Sequence, residues 1–206
     1  FFPTLFLEGY YQRRKKIGEG VYFNLVEVDA GADWIPAEAL KVRTAYIFSR
    51  YNARLDLWDQ FEKQRVKFGY TYHLGSEFQL NLTWAPVQRT LIDDIAPDRG
   101  RRVALDIRYM RNRFLRDFEL STKYGTWVET FDPYHYGQYQ VDWHEYLPGL
   151  LKYHATALRF RGGLIDDDVD SFYHFFFLCM QGMKGYPYYG LEGRKMLHGR
   201  LAHRFP

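Results

Sequence analysis

"PAEALKVRTAYIFSRYNARLDLWDQFEKQRVKF", residues Pro36–Phe68, decides the predicted fold class. Its apolar residues recur at spacings of seven, four, four, three and three, the stripe of an amphipathic helix. The stripe consists of Leu40, Ile47, Tyr51, Leu55, Trp58 and Phe61. Pro36 suits a first helical turn, and Gly69 suits a helix end. The stretch therefore predicts one continuous helix, roughly 50 Å long at 1.5 Å per residue.

The rest of the chain mixes helical and strand patterns. A second helix is predicted over Arg101–Thr122, and shorter ones over 149–160 and 166–183. "VYFNLVEV" (21–28) is typical of a strand, and "EFQLNLTW" (77–84) alternates apolar with polar residues. The second strand is expected to belong to a hairpin that turns at 74–76. We therefore predict an α+β, helix-rich fold with one long amphipathic helix, a small antiparallel hairpin and extended aromatic arms.

The two ends of the chain differ from its middle. Residues 1–16 are aromatic and finish in the basic run "QRRKK", and residues 186–206 are again aromatic and basic. We predict an N-terminal arm at 1–16, a single α+β domain at 17–185 with the long helix at about 36–68, and a C-terminal tail at 186–206. Residues 124–148, which are aromatic and non-periodic, are expected to form an extended segment.

Aromatic residues make up 19% of the chain, with 18 Tyr and 17 Phe. Tyr, Trp and Arg are enriched at protein interfaces because they combine a large contact area with a polar group. One face of the predicted second helix is rich in arginine and suits a carboxylate-rich partner, RNA or anionic lipid. The predicted docking surface comprises Arg101, Arg102, Arg108, Arg111, Trp127, Tyr134, Tyr136, Trp143, Tyr186, Tyr188 and Tyr189.

One stretch resembles the start of a protein kinase. "IGEG" (17–20), followed by a hydrophobic run and by Lys41, is similar to the kinase glycine-rich loop and strand lysine. The resemblance implies a phosphate cradle. However, Phe23 occupies the third glycine position, and the sequence has no H-R-D, D-F-G or A-P-E motif, so phosphoryl transfer lacks its aspartate base and magnesium ligands. We interpret the resemblance as coincidental, with Gly18–Gly20 in a turn and Phe23 packed in a core or interface.

No other motif indicates catalysis, a metal or a cofactor. The seven histidines are not in metal-ligand spacing, and an aspartate run at 166–170 lacks the EF-hand glycine and glutamate. The single cysteine, Cys179, lies among apolar residues and is expected to be a buried, inert thiol. We predict a non-enzymatic protein without cofactor or metal.

The hypothesis from sequence is a structural accessory subunit of a mitochondrial inner-membrane assembly, an ATP synthase or a respiratory complex. Its partners would be neighbouring subunits, with anionic lipid possible at the aromatic, basic ends. The net charge of +3 disfavours nucleic acid, and the lack of an 18-residue apolar run disfavours a transmembrane helix. A first residue of Phe1 suggests a removed leader and a peripheral mitochondrial location. The alternatives are a mitochondrial ribosomal protein contacting rRNA and an enzyme of unrecognised class.

Overall fold

The fold is a meander of long antiparallel strands. A computed structural model describes residues 2–16, 21–59, 64–87, 97, 99–123, 125–149, 154–169, 173–176 and 192–205. Its strands are β1 (Thr4–Lys16), β2 (Val21–Ala37), β3 (Leu40–Asp59), β4 (Gln64–Trp84), β5 (Gly100–Leu120), β6 (Trp127–Pro148), β7 (Ala155–Ile165), β8 (Phe175–Phe176), β9 (Glu192–Gly193) and β10 (Lys195–Arg204).

Eight of these strands form one sheet in the order β1-β2-β3-β4-β5-β6-β7-β10, and β8 pairs separately with β9. Every neighbouring pair is antiparallel. Paired residues lie on the same face of a sheet, and consecutive residues lie on opposite faces. We call the face that bears Phe78 the front face, and the face that bears His73 the back face.

The predicted helix-rich α+β fold is wrong, because the described chain is almost entirely strand. Residues 36–68 contain the end of β2, all of β3 and the start of β4. The helical spacing arose from a change of side along β3. Leu40 lies on the front face with Trp84, whereas Ile47 and Tyr51 lie on the back face with Glu77 and His73. An apolar set that changes face partway along a strand breaks the period of two and imitates a period of 3.6.

The same error affects the predicted second helix, Arg101–Thr122, which is β5 through Leu120. Val103 and Ile107 lie on the front face, whereas Met110 and Phe114 lie on the back face. The hairpin turn predicted at 74–76 is also absent, since β4 runs unbroken from Gln64 to Trp84. The strands predicted at 21–28 and 77–84 lie within β2 and β4.

Most of the remaining predicted elements are strands too. Of the helix predicted at 166–183, only 166–169 and 173–176 are described, and Phe175–Phe176 form β8. The expected N-terminal arm forms β1, the extended segment at 124–148 is mostly β6, and 155–160, predicted as helical, lies in β7. Residues 186–191 of the predicted tail lie outside the described residues. In the described part of the chain, no helix has both the length and the hydropathy needed to cross a membrane.

The hydrophobic core is small and lies on the back face. Residues after β7 fold over that face and cover Met110, Tyr136 and Met196. Val169 and Phe175 contribute the covering side chains, which are 7% and 6% exposed. The described residues of this covering segment pack on the back face, so the described sheet has one partly covered face and one exposed face.

Candidate functional site: two faces of unlike chemistry

The front face carries a continuous belt of uncharged, mostly apolar side chains that crosses all eight strands. Within the described strands no charged residue interrupts it. The belt comprises Leu5, Leu7, Gly9 and Tyr11; Val26, Val28, Ala30, Ala32 and Trp34; Leu40, Val42, Thr44, Tyr46 and Phe48; Phe78, Leu80, Leu82 and Trp84; Val103, Leu105, Ile107 and Tyr109; Gly137, Tyr139, Val141 and Trp143; Leu158, Phe160, Gly162 and Leu164; and Leu197, Gly199 and Leu201.

Most large side chains of this belt are exposed, and others, such as Leu80, Leu105 and Ile107, are half-buried. Tyr46 is 53% exposed and Phe78 is 52% exposed, although both lie in the middle of the sheet. Such a continuous exposed apolar surface is unusual for a soluble monomer, where it marks an interaction site. Something other than water is therefore expected to cover the belt.

The belt is longest on β2 and β3 and spans seven residues on β1, β4, β5, β6 and β7 and five on β10. On β2 it spans nine residues, from Val26 to Trp34, and on β3 nine residues, from Leu40 to Phe48. At about 3.3 Å per residue this is about 26 Å. A strand that crosses a lipid bilayer needs about 9–11 residues.

The belt also slants across the sheet. Its midpoint on β2 is Ala30, which is in line with Tyr46 on β3, and its midpoint on β10 is Gly199, which is in line with Leu40 on β3. Six residues on β3, about 20 Å, thus separate the two lines over six interstrand spacings of about 4.8 Å. The strands cross the belt at roughly 35° from its perpendicular, near the tilt of about 45° found for membrane strands.

Both edges of the belt have a distinct composition. Trp34, Trp84 and Trp143 are the last belt residues at one edge, which we call the Trp edge. At the opposite edge the next front-face residue is charged or titratable on most strands. These flanking residues are Arg13, Arg50, Arg111, His135 and Lys195. Trp residues at one edge and basic residues beyond the other edge are both typical of a membrane–water interface.

The back face opposite the belt carries ion pairs. At its centre Asp106 accepts hydrogen bonds from Arg108 Nε at 2.6 Å, from Gln79 Nε2 at 3.0 Å and from Asn81 Nδ2 at 3.3 Å. Glu77 lies 3.6 Å from Arg108 Nη1, and its Oε1 makes no hydrogen bond. Asp106 and Glu77 thus share one arginine but are unequally satisfied.

The pKa values of Asp106 and Glu77 are shifted in opposite directions, because the two carboxyl groups are unequally hydrogen-bonded. Burial alone would raise the pKa of Asp106, but the hydrogen bonds from Arg108, Gln79 and Asn81 outweigh burial and lower it. Burial raises the pKa of Glu77, and Arg108 offsets only part of that effect. The pKa of Arg108 is raised, because Asp106 and Glu77 outweigh the burial that would lower it.

A second ion cluster lies on β6 and β7. Asp142 accepts hydrogen bonds from Arg159 Nη2 at 2.6 Å and Arg161 Nη2 at 2.9 Å, and its Oδ1 lies 3.0 Å from His144 Nε2. Burial lowers the pKa of His144, with further lowering by Arg159 and opposition from Asp142. The positive charge of Arg159 therefore disfavours protonation of the His144 imidazole.

The opposite end of the back face is acidic. Glu27 and Asp29 on β2 have raised pKa values, mainly through burial; Asp29 raises that of Glu27, and Glu8 raises that of Asp29. Arg43 lies 3.4 Å from Asp33 and 4.2 Å from the centre of the Phe6 ring. Charge on the back face therefore changes from acidic at β2 to basic at β7.

The polarity of the two faces reverses beyond the belt edge opposite the Trp edge, in what we call the distal half of the strands. On β5 the front-face residues there are Arg111 and Arg113, and the back-face residues include Phe114. In the distal half, aromatic rings of β4 and β5 contact each other. The ring centre of Phe118 lies 5.3 Å from that of Phe68 and 5.8 Å from that of Tyr70. The distal half therefore follows the apolar-inside rule of soluble sheets.

A cavity of about 450 Å³ opens among these distal aromatic residues on the back face. Its walls consist of Gln12, Phe23, Leu25, Tyr51, Tyr70, Tyr72, His73 and Phe114. A register shift between Tyr51 and Asn52 on β3 places an extra residue, Tyr72, on β4. His73 is 2% exposed and lies at the cavity wall.

The predicted arginine surface does not stay together. Arg101 and Arg111 lie on the front face at opposite edges of the belt, and Arg101 pairs with Glu145 at 3.1 Å. Arg102 and Arg108 lie on the back face, where Arg108 belongs to the Asp106 cluster. Alternation along one strand separates side chains that one helix face would have brought together.

The predicted aromatic docking residues are also divided. Trp143 lies at the Trp edge and Trp127, 69% exposed, lies at the tip of the β5–β6 hairpin. Tyr136 is 2% exposed and Tyr134 packs against the core cluster, both on the back face. Tyr186, Tyr188 and Tyr189 lie outside the described residues, so this part of the surface stays a prediction.

The other motifs have simple positions. Ile17 to Gly20 and Cys179 lie outside the described residues. Lys41 is an exposed strand residue of β3, and Phe23 lines the cavity. Asp166 accepts a hydrogen bond from the Gly137 amide at 2.7 Å. Among the described residues, no group of three His, Cys, Asp or Glu side chains is placed to hold a metal ion.

Comparison with known proteins adds no family: no family model, no curated protein and no solved structure matches the chain. The belt itself was missed from sequence. Its signal was the alternation seen in "EFQLNLTW", which recurs in weaker form on β2, β3 and β5 wherever polar side chains separate front-face apolar ones.

Proposed function

We propose that this chain is a membrane-embedded sheet whose belt contacts the hydrocarbon of a lipid bilayer and whose back face borders water. The observation that carries the proposal is the belt: an exposed, uncharged stripe, five to nine residues long, on all eight strands. The reversal of polarity beyond the belt supports the same proposal. A soluble sheet buries its apolar face, whereas this one exposes it opposite ion pairs.

The dimensions of the belt favour lipid over water. On β2 and β3 the belt has the nine residues that a membrane strand needs, and the slant of roughly 35° is near the tilt of membrane strands. The Trp edge provides side chains that prefer the interface, and the cations beyond the other edge can reach phosphate groups. Each property is ordinary by itself, but lipid accounts for all of them together.

The charges of the back face fit the same proposal. An ionisable side chain at membrane depth faces protein or a water-filled space, and pairs with other groups. Asp106 and Asp142 are paired in this way, and both lie opposite the belt. A sheet in hydrocarbon also needs hydrogen-bond partners along β1 and β10, the terminal strands of the described sheet. The proposal therefore implies that both edges pair with strands in the membrane.

Neighbouring protein subunits could cover the belt instead, as in the mitochondrial accessory subunit predicted from sequence. Flat protein interfaces do not require an uncharged stripe that crosses every strand with an overall slant, so lipid is the stronger candidate. Mitochondrial location and membership of an ATP synthase or respiratory complex stay predictions.

The test uses tryptophan fluorescence in vesicles made with brominated phosphatidylcholine, which quenches a ring only on contact with bromine. One single-tryptophan variant retains Trp84 of the belt, and its matched control retains Trp127 of the hairpin tip. We expect brominated acyl chains to quench Trp84 and to leave Trp127 unaffected, while aqueous acrylamide quenches Trp127.

Two results would decide against lipid. Equal quenching of both tryptophans by acrylamide alone would mean that the belt is in water. Protection of Trp84 from both acrylamide and bromine, in the protein purified with its partners, would favour the accessory-subunit hypothesis.

A further inference from the structure

We infer that the basic end of the back face is a binding site for a solute that carries two or more phosphate groups. The site is a row of four side chains on neighbouring strands, which we call the arginine row. It consists of Arg102 on β5, His144 on β6, Arg159 on β7 and Arg200 on β10. The row lies on the face opposite the belt, so the inference does not depend on what covers the belt.

The register of the strands aligns the arginine row. Arg102 is paired with His144, His144 with Arg159, and Arg159 with Arg200. Paired residues share a face, so the four side chains project from the back face, one strand apart. Three interstrand spacings of about 4.8 Å give the row a length of about 14 Å. A single small ion does not span this length, whereas a solute with several phosphate groups contacts more than one arginine.

The positive charge of the row is only partly neutralised. The neighbouring row of paired residues consists of Ala104, Asp142, Arg161 and His198. Asp142 is the one carboxylate in the two rows, and it already pairs with Arg159 Nη2 at 2.6 Å and with Arg161 Nη2 at 2.9 Å. Arg102 and Arg200 are exposed, and neither makes an ion pair among the residues that the structure describes.

The pKa of His144 reflects this excess of positive charge. Burial lowers the pKa most, Asp142 raises it, and the charges of Arg159 and Arg102 lower it further. Arg102 therefore lies close enough to act on the imidazole, as the register requires. With His144 neutral, the charge of the row comes from its three arginines, and a bound anion reduces their mutual repulsion.

Phosphate suits the row better than carboxylate does. A guanidinium group donates in a planar fork that matches both groups. A carboxylate has two oxygens, and Asp142 accepts with both of them from Arg159. A terminal phosphate group offers three oxygens, so it accepts from guanidinium groups of two strands at the same time. Arg159 and Arg200, whose backbones are paired, are placed for such sharing.

The experiment measures anion binding to the full chain by isothermal titration calorimetry, in micelles of an uncharged detergent at physiological ionic strength. Salt screens exposed charges that are more than about 8 Å apart, so binding that survives depends on close contact. The probes are tripolyphosphate, orthophosphate and citrate. We expect saturable binding of tripolyphosphate. Affinity should be weaker by about tenfold or more for orthophosphate, which reaches fewer arginines, and for citrate, which offers carboxylates in place of phosphates.

Four variants assign the binding to the row. Arg102→Gln and Arg200→Gln each remove one exposed guanidinium group and should weaken tripolyphosphate binding by about tenfold. Arg113→Gln is the matched control, because Arg113 is an exposed arginine of β5 on the front face, and its affinity should be unchanged. Asp142→Asn removes the competing carboxylate and should strengthen binding. Circular dichroism establishes folding, and if Asp142→Asn does not fold, the arginine variants decide.

Several outcomes would overturn the inference. One is the absence of saturable tripolyphosphate binding. Another is an equal loss of affinity in Arg113→Gln, which would mean that net charge alone attracts the anion. Unchanged affinity in folded Arg102→Gln and Arg200→Gln, or weaker affinity in folded Asp142→Asn, would place the anion elsewhere. Equal affinity for citrate and tripolyphosphate would exclude phosphate as the recognised group.

Discussion

Strand β5 contains two halves that obey opposite rules. Between Val103 and Tyr109 the front-face side chains are apolar, and the back-face residues include the ion-paired Asp106 and Arg108. Between Met110 and Phe114 the apolar residues lie on the back face, and Arg111 and Arg113 lie on the front. A strand that lies in one solvent over its whole length is expected to keep its apolar side chains on one face. The proposed bilayer contact accounts for the reversal, with an apolar medium around the belt and water around the distal half.

The largest expected effect comes from a charge placed in the belt. Phe78→Arg puts a cation at a central belt position, where a bilayer makes the substitution cost about 2–4 kcal/mol. Trp127→Arg, the control at the exposed hairpin tip, should change the free energy of unfolding by less than about 0.5 kcal/mol. Urea unfolding of both variants in vesicles measures the difference. Equal, small effects would mean that the belt and the tip share the same solvent.

The next effect compares two carboxylates on the back face. Asp106→Asn removes the charge that receives hydrogen bonds from Arg108, Gln79 and Asn81, so we expect a loss of about 2–3 kcal/mol at pH 7. Glu77→Gln should change stability by less than about 1 kcal/mol, because burial already disfavours the charged form of Glu77.

The pH dependence gives these two variants opposite signs. The lowered pKa of Asp106 contributes stability that is present above pH 3.8 and lost as pH falls further. The raised pKa of Glu77 makes stability fall as pH rises above 4.5. Denaturant unfolding of the wild type and both variants between pH 2 and 7 would separate these contributions, and identical profiles would contradict the assignment.

The same reversal of polarity explains which strands could be predicted from the sequence. "EFQLNLTW" was assigned correctly as a strand, because it lies wholly within the belt and keeps one period throughout. Residues 36–68 and 101–122 were assigned as helices, because each contains the point where apolar residues change face. Periodicity assumes one solvent per element, and a strand that passes between two surroundings violates that assumption.

The candidate site was less accessible to prediction. Arg108 was predicted as part of an arginine docking surface, whereas it pairs with Asp106 in a cluster on the back face. The other members of the cluster, Glu77 and Gln79, come from a second strand whose register the sequence does not reveal. The cavity depends on the extra residue at Tyr72 and on Tyr173, which is 100 residues from His73. Contacts of this separation follow from the order of the strands and not from local spacing.

A smaller effect is expected where the covering segment meets the back face. A Cβ added to Gly163 would lie 2.8 Å from the Phe175 ring, so Gly163→Ala should displace that ring and cost about 1–2 kcal/mol. Gly199→Ala on β10 is the matched control, since nothing lies within 4 Å of its added Cβ. Limited proteolysis between β7 and β10 should accelerate in the first variant only, and equal rates would remove the role of Phe175.

The smallest expected effect concerns His73 and pH. Because burial lowers its pKa, the unfolded chain binds more protons than the folded one below pH 6.5, and stability is lost as pH falls through that value. The loss is at most about 1.4 kcal/mol per pH unit for one histidine. His73→Phe should reduce the loss measured by urea unfolding between pH 7.5 and 5.5. A residual slope is expected from His144, whose pKa is also lowered by burial. An unchanged slope in His73→Phe would mean that the distal half opens enough to solvate His73 before the chain unfolds.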